Sequence, residues 1–504
     1  MAGGKTQNKL DMIYREDLSM LTDLYQLTMA YSAWKAQTVD GAQQKTGVFD
    51  LYFRSNPFRG GYAVNCGLSS VLDLIETFRF SEQDCAYLAE LKGGDGKALF
   101  DSGFIKFLSD AKLSVDIDAI DEGRIVFANE PLLRVQGPVW QCQLLETPLL
   151  NFINFETLVA TKAARVKFAA GTDAVLEFGL RRAQGVSGAL SAARAAYVGG
   201  ADATSNILAG KVHGIPVRGT HAHSWVMSYD DERDAFMQFA AAMPNNSIFL
   251  VDTYDTLEGV KNAIEAGLWL KSQGHKMAGI RLDSGDLAYL SQESRKLLDQ
   301  AGLTNAKIVA SNDLDENLIQ SLKIQGAKID IWGVGTKLVT AYDQPALGGV
   351  FKLVALKDGD SDWKYRIKLS EQIAKVTTPG IHQVRRFKAD GLFAGDMIYD
   401  VRQSLATQPM IVDPNDPTRR KQFGASSEFE DLLKPVVRNG KVIKRDDSIE
   451  TVRARRASDL QQLHPTSQRF LNPHLYPVGL EPSLHEMKIQ MIQDIRNRKM
   501  GVGA

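Results

Sequence analysis

The sequence predicts an α/β fold organised around a barrel of strand–helix units. From residue 174 onward, apolar runs end in Gly, Asp, Arg or His and give way to a helical pattern every ~20 to 30 residues, as the repeating units of such a barrel do. The run-ends fall at 177–181, 197–202, 217–223, 249–253, 280–283, 309–312 and 331–336, and segments 257–271, 287–300 and 314–325 between them have helical spacing. With 504 residues, 44% of them apolar, the chain can bury more than one core, so two or three domains are expected.

Taken in order, residues 1–11 are polar and expected to fray. A helix begins near Asp17 and places Leu18, Leu21, Leu24, Tyr25 and Met29 on an apolar stripe, where a tyrosine is more often core than ligand platform. Residues 47–53 alternate as a strand, 54–61 read as a loop, 68–78 as a helix, and 117–136 as strand pairs around turns at 121–123 and 129–131. From Trp140 to about Phe168 runs a long, largely apolar helix, a domain divider or dimer element. Beyond the barrel units, strands and polar turns alternate at 363–369 and 383–387, the stretch 413–459 is charge-rich, and a last helix spans 483–498. The expected domains are 1–170, 171–355 and 356–504.

Charge and cysteine usage narrow the function. Lys plus Arg (59) nearly cancels Asp plus Glu (60) and no basic run appears, so no nucleic-acid surface is expected. Three widely spaced cysteines, Cys66, Cys85 and Cys142, fit a reducing cytoplasm better than a disulfide framework or a zinc site. No signal peptide and no long uncharged apolar run is visible, so neither secretion nor a membrane span is expected.

Parallel strands feeding helices put their ends on one face, so Arg181, Asp202, His223, Asp252, Arg281, Asp283 and Thr336 should converge on one mouth. At its centre, Ile215-Pro-Val217 reads as a strand and Ser224 as the N-cap of a helix through Trp225, Met227 and Phe236, a junction whose N–H groups attract phosphates. The pair His221 and His223 has three readings: two metal ligands, one structural imidazole (His221 more readily than His223), or a nucleophile toward a phosphoryl donor. The metal reading lacks partners, because His275, His382, His464, His474 and His485 are not at expected strand ends. In Ile280-Arg-Leu-Asp-Ser-Gly-Asp286, Arg281 suits an anionic or aromatic ligand, and Asp283 and Asp286 suit Mg²⁺ or ribose hydroxyls, although Asp286 fits a helix N-cap equally well. Gly333-Val-Gly-Thr336 and Leu347-Gly-Gly349 let backbone amides approach a phosphate. Phe178 offers a ring to a flat heterocycle, or is plain core, and Arg181 offers a charge.

Six stretches, taken together, closely resemble the nicotinate phosphoribosyltransferase family. They are Leu21-Thr-Asp-Leu-Tyr-Gln-Leu-Thr-Met29, Phe178-Gly-Leu-Arg-Arg-Ala-Gln-Gly185, Gly219-Thr-His-Ala-His-Ser224, Ile280-Arg-Leu-Asp-Ser-Gly-Asp286, Gly333-Val-Gly-Thr336 and Leu347-Gly-Gly-Val-Phe-Lys352, in family order. The resemblance implies a type II phosphoribosyltransferase: an irregular parallel α/β barrel, an N-terminal α/β domain partly completed by a C-terminal mixed region, and a homodimer whose partner contributes to the site. It implies transfer from phosphoribosyl pyrophosphate to nicotinate, with Mg²⁺ present and ATP hydrolysed through a phosphohistidine at His223. It further implies that Tyr25 and Phe178 sandwich the pyridine ring, that Arg181, Thr220 and Arg281 border it, that Asp283 holds ribose, and that Gly335, Thr336, Gly348 and Gly349 cradle the 5-phosphate. Arg54 and Arg59 are candidates for the partner's cation, and Arg218 and His221 have no implied role. Three rivals stand beside this reading. One is a nicotinamide-specific relative, in which Asp202 accepts from a carboxamide; another is a metal-dependent barrel hydrolase using both histidines; the third is a catalytically idle interaction protein, against which the intact Arg281, Asp283, His223 and both glycine loops argue.

Overall fold

A computed structural model describes residues 18–372, 375–444 and 448–499, so the expected frayed start lies outside the described residues; the helix expected from near Asp17 begins instead at Leu24 with Asp23 as N-cap, leaving Leu18 and Leu21 ahead of it. The chain divides into two units. Unit 1 comprises Met1–Phe155, Leu347–Asp447 and Ser458–Ala504, and unit 2 comprises Glu156–Ala346 and Ser448–Ala457. Helix Val139–Ala170 runs unbroken through the first boundary, with Pro148 inside it. The divisions at 155/156 and 346/347 therefore differ from the expected 170/171 and 355/356: a continuous helix gives no local signal of where its packing partners change.

Unit 2 carries a six-stranded parallel sheet in the order Ala203–Thr204, Ala174–Glu177, Ile331–Val334, Lys307–Ala310, Gly279–Leu282, Ile248–Leu250. The strands are short and largely buried, which is why each reads as an apolar run rather than an alternation. The helices that follow open on aspartate caps, of which Asp286 was expected. Asp255, Asp286 and Asp315 accept from the N–H of Glu258, Tyr289 and Leu318 and open helices Thr256–Ser272, Leu287–Gln300 and Glu316–Ile324.

Three expectations change here. Helix Gly185–Gly199 continues into the run at 197–202, so that run is mainly helix end, and Asp202 stands at the start of its strand. The close fit depends on Gly199, since a Cβ there would lie 2.2 Å from the Ala160 carbonyl oxygen. Residues 215–217 make no strand: Val217 forms one bridge with Thr204, and Pro216 accepts from Thr204 N–H but has no N–H to extend a ladder. The helix expected from Ser224 is two helices, His223–Val226 with Ala222 as N-cap and Glu232–Ala242 capped by Asp231. Trp225 Nε1 donates to the Ala235 carbonyl at 3.2 Å, folding the first back on the second.

Residues 219–221 also reach the opposite edge strand, Ile248–Leu250. Asn246 Nδ2 donates to the Gly219 carbonyl at 3.1 Å, Leu250 N–H donates to His221 Nε2 at 3.2 Å, and Thr220 Oγ1 donates to the Ile248 carbonyl. Side chains thus do at this edge what backbone pairing does elsewhere in the sheet.

In unit 1, chain segments far apart in sequence share sheets. Strand Lys45–Phe53 pairs antiparallel with Gly349–Asp358 and Leu133–Pro138, and Leu433–Arg438 pairs with Asp116–Ile120. A second sheet is built entirely from residues after 380, with Leu392–Asp400 between His382–Ala389 and Val478–Leu480. The final helix spans Pro482–Lys499. Among the described residues no helix is long and apolar enough to cross a membrane.

Candidate active site

The carboxyl ends of the unit 2 strands bring Phe178, Arg281, Asp283, Ser311 and Asp252 together, and the start of helix His223–Val226 adds His223. Phe178 follows strand Ala174–Glu177, and its N–H donates to the Val334 carbonyl at 2.9 Å. Its half-buried ring rests on Gly333, where a Cβ would lie 2.7 Å from ring carbon Cδ2, so the first glycine of the Gly333-Val-Gly-Thr336 motif makes room for an aromatic ring. The Arg281 guanidinium carbon lies 5.6 Å from the centroid of that ring. Nε of Arg281 donates to Ser311 Oγ at 2.8 Å and Nη2 to Asp283 Oδ1 at 3.0 Å, while the Ser311 hydroxyl donates to the same Asp283 oxygen. Beneath Phe178, buried Glu177 accepts from Thr204 Oγ1 at 2.5 Å and from the Gly179 N–H; burial pushes its carboxyl up.

The two histidines occupy different environments. His223 is 39% exposed; its Nδ1 is 3.1 Å from Thr253 Oγ1, and its Nε2 faces Asp283 Oδ2 at 3.8 Å and Asp252 Oδ1 at 4.0 Å. Asp252 is held from its other oxygen by Asp283 N–H at 2.9 Å and Ser284 Oγ at 2.7 Å. Its Oδ1 is buried with no hydrogen-bond partner among the described residues. His221 is buried, edge-on to Phe239 with centroids 4.8 Å apart. Accepting from Leu250 N–H requires a neutral Nε2, which leaves the proton on Nδ1, 3.4 Å from the Ala222 carbonyl. Burial holds the imidazole down to about 4. With both ring nitrogens engaged in the protein, His221 has no lone pair to give a metal, which removes a ligand the hydrolase reading needs.

Other expected residues fall elsewhere. Asp202 does not face the mouth: its N–H donates to the Val175 carbonyl at the start of the sheet, and its carboxylate takes Lys167 at 3.1 Å, Arg453 at 2.7 Å and the Val175 N–H at 2.9 Å. Asp286 accepts from Tyr289 N–H at 3.0 Å, so the cap accounts for it. Arg181 is exposed on the 3₁₀ turn Leu180–Arg182. Gly335 is the N-cap residue of the short helix Thr336–Val339. In unit 1, Gly348 has φ +77°, and Gly349 donates to Asn154 Oδ1 at 3.0 Å, where a Cβ would sit 2.1 Å from that oxygen. Tyr25, also in unit 1, lies in the first turn of helix Leu24–Asp40 and is 49% exposed, so it is not core. A cavity of about 1120 Å³ within unit 1 is lined by Arg54, Arg59, Arg419, Arg420 and Lys488 among others, and the buried Nε of Arg54 has no hydrogen-bond partner among the described residues. Ser311 and Thr253, which orient Arg281 and His223, were not singled out in the sequence; the Ser after Val309-Ala310 and the Thr after Val251-Asp252 sit at strand ends that the run pattern did mark.

Comparison with known proteins places these features in a family. Residues 20–154, 174–360 and 382–488 match, respectively, the family models described as nicotinate phosphoribosyltransferase N-terminal domain, nicotinate phosphoribosyltransferase family and nicotinate phosphoribosyltransferase C-terminal domain. A nicotinate phosphoribosyltransferase of Bacillus subtilis is 42% identical over 497 residues, spanning 97% of this chain and 98% of the relative. The crystal structure of human nicotinic acid phosphoribosyltransferase superposes with a TM-score of 0.80 at 31% identity, covering 93% of this chain and 99% of that one. The structure of a nicotinate-nucleotide pyrophosphorylase from Pyrococcus furiosus, at 22% identity, TM-score 0.66 and coverage of 92% and 99%, shares the fold.

Proposed function

The chain belongs to the nicotinate phosphoribosyltransferase family, and from that premise we propose that it joins nicotinate to the ribose of phosphoribosyl pyrophosphate, yielding nicotinate mononucleotide and pyrophosphate for NAD salvage. The observation that carries this reading is the Arg281 guanidinium set 5.6 Å from the Phe178 ring centroid, a cation and an aromatic face suited to a flat aromatic carboxylate. In the transfer, the bond from ribose C1 to pyrophosphate breaks with its electron pair leaving on pyrophosphate, and a bond from C1 to the pyridine nitrogen forms. The state between is oxocarbenium-like, so the protein's work is positioning and charge stabilisation rather than nucleophilic attack. Arg281, with Arg181 and Thr220, borders the base, Asp283 meets the ribose, and Gly335 and Thr336 supply N–H groups to the 5-phosphate. Within unit 1, the exposed ring of Tyr25 is suited to an aromatic base, and the cationic cavity suits phosphate groups. The unit 2 sheet, with residues 219–221 linked to its edge strand by side chains, supports an irregular barrel.

ATP hydrolysis accompanies transfer through His223. With Nδ1–H donated to Thr253 Oγ1, Nε2 keeps its lone pair and is exposed enough to attack the γ-phosphorus of ATP. A nitrogen–phosphorus bond forms as the bond to ADP breaks, and water later releases phosphate. Asp252 and Asp283, at 4.0 and 3.8 Å, favour the positive imidazole that forms on attack. The unpartnered Asp252 Oδ1 and the outward Asp283 Oδ2 are hard oxygen donors that fit Mg²⁺, which when bound neutralises phosphate charge. A homodimer in a reducing cytoplasm is part of the same reading, and light scattering of the purified protein tests the dimer.

The deciding experiment incubates the protein with phosphoribosyl pyrophosphate, Mg²⁺ and each base separately. Nicotinate should turn over at least about tenfold better than nicotinamide, because a charge-assisted hydrogen bond to the carboxylate contributes about 1.5–3 kcal/mol. Equal or reversed preference would favour the nicotinamide-specific relative. His223→Ala should lose acid-labile labelling from γ-phosphate-labelled ATP yet keep a slow transfer that ATP does not stimulate. Stoichiometric, tightly bound zinc with no transfer to either base would favour the hydrolase.

A further inference from the structure

Resting on the function proposed above, we propose that Ser311 is a positioning residue that sets the preference for a carboxylate-bearing base by locking Arg281 in one orientation. Ser311 is the first residue beyond strand Lys307–Ala310, is 3% exposed, and its N–H donates to the Leu282 carbonyl at 2.9 Å. The backbone therefore fixes where its hydroxyl sits. Immediately after it the chain turns sharply away, with Asn312 at φ +84° and Asp313 at φ +29°.

The hydrogen-bond directions around that hydroxyl follow from its chemistry. Arg281 Nε can only donate, and it reaches Ser311 Oγ at 2.8 Å, so the single Ser311 hydrogen is free for Asp283 Oδ1. Arg281 Nη2 donates to the same carboxylate oxygen at 3.0 Å. The three side chains close a ring in which the guanidinium donates twice, the carboxylate oxygen accepts twice and the hydroxyl does one of each. Two donor positions of Arg281 are thereby used inside the protein, and the rest are held in a fixed direction for a ligand. With the Arg281 side chain only 14% exposed, little water is at hand to replace the lost acceptor if the hydroxyl is removed.

A fixed fork matters most to a ligand that takes two parallel N–H groups, as a carboxylate does. A neutral carboxamide gains less from the fork and loses less when it swings. Removing the hydroxyl should therefore penalise nicotinate more than nicotinamide, an asymmetry that a merely structural residue does not produce.

The test is Ser311→Ala, which deletes one buried atom, assayed with each base at saturating phosphoribosyl pyrophosphate and crystallised without ligands. The kcat/KM for nicotinate should fall about tenfold or more, mainly through KM, and the nicotinate-to-nicotinamide ratio should fall with it. The Arg281 guanidinium should be displaced in the crystal. Ser311→Cys keeps the volume while giving up most of the hydrogen bonding, and should act in the same direction if the alanine variant does not fold. Equal losses for both bases, or an Arg281 that stays in place, would overturn the proposal. A wild-type protein that transfers to neither base would instead reject the function, while the crystal structure alone would still decide whether Ser311 holds Arg281.

Discussion

His221→Phe offers a quantitative test of how the two imidazoles differ. Phenylalanine keeps an aromatic ring against Phe239 but removes the acceptor for the Leu250 N–H, now bonded at 3.2 Å. A buried donor left unpaired costs about 1–3 kcal/mol, so the variant should be less stable by that amount at pH 7. The pH dependence gives a second, independent magnitude. Burial lowers the folded-state imidazole from 6.5 to about 4. Above pH 6.5 it is neutral in the folded and the unfolded chain, and its contribution is complete. As pH falls from 6.5 toward 4 the unfolded chain takes up a proton that the folded chain refuses, so stability declines, by about 3 kcal/mol over the whole window and about 2 kcal/mol by pH 5. The phenylalanine variant has no proton to take up there. Urea unfolding of both proteins at pH 7 and pH 5 should show the stability gap closing by about 2 kcal/mol at the lower pH. A gap that does not narrow would refute a buried neutral His221. The variant should also keep labelling from γ-phosphate-labelled ATP; loss of labelling here, with labelling intact in His223→Ala, would mean that the nucleophile is the other imidazole.

Three further outcomes follow from the same contacts. Asp283→Asn keeps the shape of the side chain but removes the charge shared by Arg281, Ser311 and the ribose, so phosphoribosyl transfer measured at saturating substrates should drop at least ~100-fold; a near-normal rate would reduce Asp283 to a turn residue. Tyr25→Ala should raise KM for nicotinate while ATP hydrolysis without nicotinate continues, and because Tyr25 is 49% exposed the thermal midpoint should barely move; an unfolded variant would mean that the ring is core after all. Asp202→Asn breaks the ion pairs with Lys167 and Arg453, which are partly solvent-screened, so stability should fall by about 1 kcal/mol with the nicotinate-to-nicotinamide ratio unchanged; a shifted ratio would return Asp202 to the base site.

The amino-acid sequence by itself determined the parallel sheet of unit 2, the run of helices between its strands and the family. Strands buried on both faces must be continuously apolar, an Asp cap satisfies a helix's first N–H groups whatever surrounds it, and the six motifs keep their order without reference to any contact. Arg281, Asp283 and Phe178 were legible for the same reason: each sits just beyond, or within the end of, a strand whose apolar run marks it, whereas His223 follows a run that makes no strand and was legible only through its motif. Tertiary structure decided what depends on where an element starts or on which neighbour fills a space. Asp202 reads as a strand end only if residues 197–199 belong to a strand, but they end helix Gly185–Gly199, packed where a Cβ on Gly199 would meet the Ala160 carbonyl. His221 and His223 would share a face in an extended chain, but Ala222 caps a helix between them, so one ring packs on Phe239 and the other faces Asp252 and Asp283. Ser311 and Thr253 carried no signal because a small hydroxyl at a strand end is common; they acquire roles only when strands from distant parts of the chain put Arg281 and His223 within hydrogen-bonding reach.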